Sequence, residues 1–558
     1  MTNYDYDAIV IGSGISGGWA AKELTEKGLK TLLLDRGRNI EHIKDYKNAT
    51  KNPWEFPHRG VAKLSDKIAH PVLSRSDYVS EASLDYWVDE KESPYTQIKP
   101  YNWMRGYHLG GRSLMWGRQS YRWSDFDFEA NLNEGVAIDW PVRYNDIAPW
   151  YDHVERFAGI SGSLENLPQL PDGQFQPPME MNCVEKDVAQ RLKRIYNGER
   201  HMIIGRTANI TTPLPGRTNC QYRNKCMLGC PFGGYFSTQS STLPAAMATG
   251  KLTVRPWSIV TQILYDKDSK KATGVEVLDA ETNVTYQYKS KIVFLNASTF
   301  NSAWILMNSA TDIWPDGLGS SSGELGHNIM DHHVGGGASG VMEGYEDKYY
   351  FGRRANGIYV PRYRNLFSDK RDYLRGFGYQ GSAGRETWSR EIAELNIGAG
   401  FKDSLQEPGE WAMSIVGFGE VLPYHENKLT INKNLKDKWG LNTLAVDAEL
   451  KENEHKMNRD MEADAIEMLE KSGLKHVKGF VRRPIMGAIH EMGSARMGND
   501  PKTSVLNKWN QVWDAQNVFV TDGSFMVSSS CVNPSLSYMA FTARAADHAL
   551  SELRKMNL

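Results

Sequence analysis

Cysteine is scarce in this chain, with five among 558 residues. A disulfide framework is therefore excluded as the basis of the fold, and the odd count leaves at least one thiol free. Long apolar runs are missing too: no stretch reaches the roughly 18 consecutive apolar residues of a membrane-spanning helix. An excess of one charge is also absent, since 65 Lys and Arg stand against 67 Asp and Glu. No field of one sign points to nucleic acid or an anionic membrane as a partner. The opening residues, MTNYDYDAIVIG, are acidic where a signal peptide is basic and enter a strand at once, so no cleavable leader is expected here. Internal repeats and low-complexity tracts are lacking as well. The composition, 40% hydrophobic and 24% charged, is that of a globular protein able to bury a large core. Its 16 Trp and 26 Tyr offer flat apolar faces with polar edges. Such rings suit carbohydrate or cofactor pockets, although most of them in any protein are simply core.

The first local signal is at the N-terminus. An apolar run, AIVI, leads into Gly12-Ser13-Gly14-Ile15-Ser16-Gly17, then a helical pattern ending near Gly28, then a second apolar strand, TLLLD, ending in Asp35. This is a strand, a glycine turn, a helix, a strand and an acid. Gly12 permits the tight turn, Gly14 lets backbone approach a pyrophosphate, and Gly17 lets helix pack on strand. The helix N-terminus offers N–H groups and a positive dipole end to phosphates. Asp35 stands where an acid binds ribose hydroxyls. The motif alone does not separate FAD from NAD; its place at the start of the chain, Ala21 three residues beyond the last small pair, and the sequel LLLDRG favour FAD.

The second signal is at the other end. NVFVTDGS reads as a strand, Asn517 to Thr521, ending in a turn at Asp522-Gly523. NPSLSYMAFTARAADHAL reads as a helix with Asn533 at the N-cap and Pro534 at its first position, where both are favoured. The positive end of that helix suits an electron-rich group. His490 sits on a turn of small residues, Gly493, Ser494 and Ala495, and taken alone reads as a structural histidine. Cys220, Cys226 and Cys230 form a third cluster, Cys-x5-Cys-x3-Cys. It admits three readings: incidental thiols, perhaps with one disulfide; a zinc site, for which a fourth ligand is not evident; or an iron–sulfur cluster, whose ligands are thiolates.

Taken together these segments resemble the glucose-methanol-choline (GMC) family of FAD-dependent oxidoreductases. The resemblance runs through GSGISGGWAA, MRGYHLGGRSLMWGRQSYR (104–122), DIAPWYDHVERFAGISG (146–162), VFLNASTFNSAWIL (293–306), ELGHNIMDHH (324–333), HEMGSARMG and VTDGSFMVSSSCVNPSLSYMAFTARAADH. It implies an α/β fold, α+β overall: a Rossmann-like FAD-binding domain and a substrate domain of antiparallel sheet backed by helices. It implies oxidation of an alcohol by hydride transfer to flavin N5. His490 matches the family's catalytic His, and Asn533 its second position. Gly110, Gly111 and Ser113 match the glycine-rich flavin segment, and Asp522 and Gly523 join the cofactor set with Gly12, Gly14, Gly17, Asp35 and Asn533. Where some sugar oxidases of the family carry a His that bonds FAD covalently, this chain has Met115, so FAD is expected to be non-covalent.

The stretch NCQYRNKCMLGCPFGG is similar to one in the flavin subunit of bacterial FAD-dependent sugar dehydrogenases, which implies that Cys220, Cys226 and Cys230 ligate a [3Fe-4S] cluster. The resemblance further implies FAD pieces at 1–60, 100–122, 205–333 and 484–558. Substrate-domain, lid and connector pieces fall at 61–99, 123–204 and 334–483. The expected substrate is a sugar or glycoside oxidised at a secondary ring hydroxyl, C3 above all, as in glucoside 3-dehydrogenases. The alternatives are an oxidase that makes hydrogen peroxide and a non-catalytic flavin or iron–sulfur carrier. A small export or chaperone subunit and a cytochrome c acceptor are the partners the resemblance implies, with the chain either periplasmic by way of that subunit or cytoplasmic.

Overall fold

The computed structural model describes residues 4–76, 79–350, 352–386, 398–399, 402, 406, 408–482 and 485–558. Two sheets organise the chain. The first is parallel at its centre, in the order Ala515–Val520, Thr285–Leu295, Tyr6–Ile11, Thr31–Leu34, Leu252–Arg255. Its strands are apolar on both faces, as parallel strands covered on both sides must be: Ala8, Ile9, Val10, Leu32, Leu33 and Leu34 are all buried. Gly12 turns the first strand into the helix Ile15–Glu26, and Gly28, at φ +97°, ends it in the left-handed conformation that glycine adopts freely. The C-terminal helix, Ser535–Arg554, lies along that first helix, with Ala20, Ala21, Ala545, Ala546 and Ala549 in one cluster. The ends of the chain thus build one layer. The strands Ser258–Asp266 and Lys271–Asp279 form an antiparallel extension on Thr285–Leu295.

The second sheet has six antiparallel strands, in the order Lys475–Val481, His332–Met342, Trp411–Glu420, Phe377–Arg385, Ile358–Val360, Ile203–Ile204. The helix Glu452–Lys471 covers one face through Met457, Met461, Ala465, Met468 and Leu469. Period-two alternation decides what the other face carries. Val416 and Phe418 line a cavity, whereas a Cβ on Gly417 between them would meet Met461 Sδ of the helix at 2.6 Å. The sheet therefore roofs the cavity, and its helix lies behind.

One local expectation fails. The C-terminal helix begins after Asn533, not at it: Pro534 takes the N-cap position with no side-chain cap. The Asn533 side chain is engaged elsewhere, its Oδ1 accepting from Gln380 Nε2 at 2.7 Å. Among the described residues from 349 to 367, the strand is Ile358–Val360. Pro361 follows at once and has no N–H to extend the ladder. The expected boundary between residues 483 and 484 lies outside the described residues.

Candidate active site

Between the two layers lies a cavity of about 980 Å³, at the upper end of the range for ligand pockets. Gly12, Gly14, Asp35, Gly111, Ser113, Asp522, Gly523, His490 and Asn533 all contribute to its wall. These predicted residues come from both ends and the middle of the chain. Gly17 and Gly110 do not line it and act from behind. A Cβ on Gly17 would fall 1.8 Å from the Gly12 carbonyl oxygen, and one on Gly110 2.1 Å from the Gln239 side-chain nitrogen. A Cβ on Gly14, in contrast, meets no atom within 4 Å. It would extend into space next to the uncapped first turn of the Ile15–Glu26 helix, whose N–H groups have no intrahelical partner.

Asp35 is buried, and burial pushes its carboxyl up to about 6. It accepts from the Ser13 backbone N–H at 3.1 Å, from the Ser13 hydroxyl and from Gly37 N–H at 2.9 Å. It therefore braces the glycine turn as well as facing the cavity. Asp522 accepts from Ser302 Oγ at 2.5 Å and from Ser524 N and Oγ at 3.0 and 2.6 Å, tying the end of the strand Ala515–Val520 to the helix Thr299–Asn308. Ser113 Oγ donates to the Gly110 carbonyl at 2.6 Å and accepts from Thr238 N–H at 3.0 Å.

His490 is held from three sides. Its backbone N–H donates to Asp331 Oδ1 at 3.1 Å, and its ring Nδ1 lies 2.8 Å from Nδ1 of His332. Arg112 donates to the Ile489 carbonyl at 3.0 Å and forms a bidentate pair with Glu491, at 2.6 and 3.2 Å. Burial, with His332 and the Arg112 cation beside it, holds the His490 imidazole well below the usual histidine range, so it is neutral at working pH. His332 Nε2 lies 3.1 Å from the Ser529 carbonyl oxygen, and burial lowers His332 to about 4.

His332, Gln380, Asp331 and the Arg112–Glu491 pair are site residues that the sequence reading does not single out. His332 and His333 stand side by side in the stretch that carries a family motif. Alternation along the strand sends only His332 toward His490, while His333 Nδ1 meets Asn458 Oδ1 at 2.8 Å on the covering helix.

Cys220, Cys226 and Cys230 lie outside the cavity wall, and all are free and partly buried. They are neighbours: Cys220 is raised by burial and then by the negative charges that Cys226 and Cys230 carry when ionised. Tyr222 N–H points at Cys220 Sγ at 3.5 Å. Among the described residues no three His, Cys, Asp or Glu side chains are arranged to hold a single metal ion. The cysteine loop adjoins the cavity through Met227, which packs in one apolar cluster with Met115 and Ile489, both cavity residues.

Two GMC oxidoreductase family models match, over residues 6–334 and 423–542. The chain belongs to the GMC oxidoreductase family. A 2-methyl-1,2-propanediol dehydrogenase from Mycolicibacterium austroafricanum is 29% identical over 97% of this chain and 94% of its own length. The large subunit of a fructose dehydrogenase from Gluconobacter japonicus is 24% identical over 98% of each. A pyridoxine 4-oxidase structure from Mesorbium loti superposes with a TM-score of 0.60 at 14% identity, covering 98% of this chain and 99% of that one, a likeness of fold. As a GMC oxidoreductase the chain is an FAD flavoprotein that oxidises CH–OH groups. The glycine cradle, the open space at Gly14 and the uncapped helix start fit a dinucleotide. Among the described residues no helix is long and apolar enough to cross a membrane.

Proposed function

We propose that the chain is a dehydrogenase that oxidises a secondary ring hydroxyl of a sugar or glycoside, at C3, to a ketone. The observation that carries this reading is that His490, neutral and fixed by His332, stands with Asn533 in the wall of the same cavity as the glycine cradle. Bound FAD supplies the hydride acceptor. The protein supplies the rest. The neutral His490 imidazole takes the hydroxyl proton, a role worth roughly 10²–10⁴-fold in rate. Asn533, its oxygen occupied by Gln380, has amide N–H left to donate to the substrate oxygen without competing for its proton. Met115 offers no nucleophile to the cofactor, which supports non-covalent binding. The polar lining contributed by Gln380 and Asn533 and the fructose dehydrogenase likeness support a polyhydroxylated substrate; the C3 position rests on the resemblance to glucoside 3-dehydrogenases.

Cys220, Cys226 and Cys230 would be the ligands of a [3Fe-4S] cluster, which would supply one-electron transfer toward an external acceptor such as a cytochrome c. Three neighbouring, free thiols with an N–H donor to one sulfur suit cluster ligation, and Met227 brings the loop against the cavity wall. Export with a small partner subunit belongs to the same proposal.

The test is anaerobic mixing with methyl glucosides, free hexoses and short vicinal diols, with NMR of the product. The flavin is expected to bleach with a pyranoside and yield a 3-keto product, and electrons are expected to pass to an artificial acceptor with little oxygen uptake. His490→Ala should keep its flavin and lose bleaching. Stoichiometric peroxide would make the chain an oxidase; no bleaching with any alcohol would make it a carrier.

A further inference from the structure

Two histidines meet nitrogen to nitrogen beside the cavity, and which of the four ring nitrogens carry protons is decided by a backbone carbonyl. The Ser529 carbonyl oxygen can only accept, so His332 Nε2, 3.1 Å away, carries a proton. A neutral imidazole has one N–H, and burial keeps His332 neutral. Its Nδ1 is therefore a bare lone pair. His490 Nδ1, 2.8 Å from that lone pair, must donate. The single N–H of neutral His490 is thus spent on His332, and its own lone pair is left on Nε2. The rings meet edge to face, with an interplanar angle of 83°. Their backbones are tied to one another, because Asp331 Oδ1 accepts the backbone N–H of both residues, at 2.7 Å from His332 and 3.1 Å from His490.

We infer that His332 is a positioning residue for the oxidation: with Ser529 it fixes His490 as the Nδ1–H tautomer, which presents a basic Nε2 to the substrate hydroxyl. The inference rests on the proposal that His490 is the base. It has a second consequence. When His490 accepts the substrate proton on Nε2 it becomes an imidazolium, and its Nδ1–H already points at the neutral His332 acceptor. No rearrangement is needed to stabilise that charge. Were His332 protonated on both nitrogens, its Nδ1–H would face His490 Nδ1 and force the His490 proton onto Nε2, abolishing the base. The other charged or titratable groups around the pair are Asp331, Tyr101 (bonded to Asp331 at 3.3 Å), the Arg112–Glu491 pair, Tyr538, and His333 beside His332.

The test reads the tautomer directly. Nitrogen-15 NMR of the histidine-labelled holoenzyme, assigned by the signal lost in His490→Gln, should find Nδ1 protonated and Nε2 unprotonated near pH 7.5. Protonated Nε2 in the wild type would overturn the inference. In His332→Leu the two tautomers should mix, and flavin reduction by substrate should slow about 10²–10⁴-fold, the range seen when a catalytic histidine loses the group that sets its tautomer. His332→Asn places an amide oxygen near the Nδ1 position and should recover much of that loss, whereas His332→Gln, which reaches the Ser529 side instead, should not. Equal rates in His332→Leu and wild type, with flavin content and melting unchanged, would also overturn it. If His332→Leu does not fold, the wild-type spectrum still decides. The expected tautomer together with normal flavin reduction in His490→Ala would sink the His490 base and leave the tautomer standing.

Discussion

Gly14 and Gly17 belong to one motif and fail in different ways when a side chain is added. At Gly17 a Cβ would overlap the Gly12 carbonyl, which is backbone and cannot move aside. At Gly14 it meets no atom within 4 Å and extends into the cavity. Gly14→Val is therefore expected to leave apoprotein melting within about a degree of wild type and to lose FAD binding, read by flavin fluorescence titration. Gly17→Val should lower the yield of folded protein outright, since overpacking against fixed backbone costs about 1–3 kcal/mol or more. Equal flavin affinity in Gly14→Val would place the cofactor elsewhere. The His490 shift gives a second residue-scale expectation. Its folded pKa is lowered, so the reactive neutral form persists as pH falls through 6.5 and is lost only well below it. The acid limb of the flavin-reduction rate should lie well below pH 6.5, and a limb at 6.5 or above would contradict a buried imidazole as the base. The motif glycines were legible because each has a conformational or contact reason that repeats wherever such a turn occurs. His332 was not, since its role depends on a carbonyl nearly two hundred positions away.

At the scale of elements, strand and helix periods told more than their ends did. The parallel strands Tyr6–Ile11 and Thr31–Leu34 were readable from unbroken apolar runs. The start of the C-terminal helix was misplaced because Asn533 looks like a cap by residue type, yet Gln380, on a strand far away in sequence, takes its side-chain oxygen. No local signal carries that. The cysteine loop is an element whose spacing was legible and whose contents were not. Its lysine, Lys225, ties it to the Thr50 carbonyl at 3.0 Å and Asn52 Oδ1 at 3.1 Å, and Tyr86 donates to the Leu228 carbonyl at 3.2 Å. Anaerobically purified protein is expected to hold about three irons and labile sulfide per flavin if the proposed cluster is present. Cys226→Ser should remove the iron while leaving anaerobic flavin bleaching by substrate intact, and should cut transfer to a cytochrome. Flavin-replete protein without iron would make these thiols structural.

On the scale of the whole molecule, the cavity belongs to no single segment. Its wall takes Gly12 and Gly14 from the start, Gly111 and Ser113 from a loop, Thr299 and Asn301 from the nucleotide layer, Gln380, Val416 and Phe418 from the roof, and His490, Asp522 and Asn533 from the end. A ligand that fills it bridges both layers and both termini, so its binding energy becomes stability of the entire chain. A non-covalent ligand of the native state stabilises by mass action, about 2.7 kcal/mol when free ligand is at 100 times its Kd. The melting temperature of the holoenzyme should therefore climb by a few degrees as free FAD is raised through that range, and apoprotein stripped of flavin should melt lowest. Mild acid or high salt should release all the flavin into the supernatant. Because Met115, in the cavity wall, offers no nucleophile to the cofactor, a melting temperature indifferent to added FAD, with flavin pelleting with the denatured chain, would mean a covalent link through another side chain of this wall.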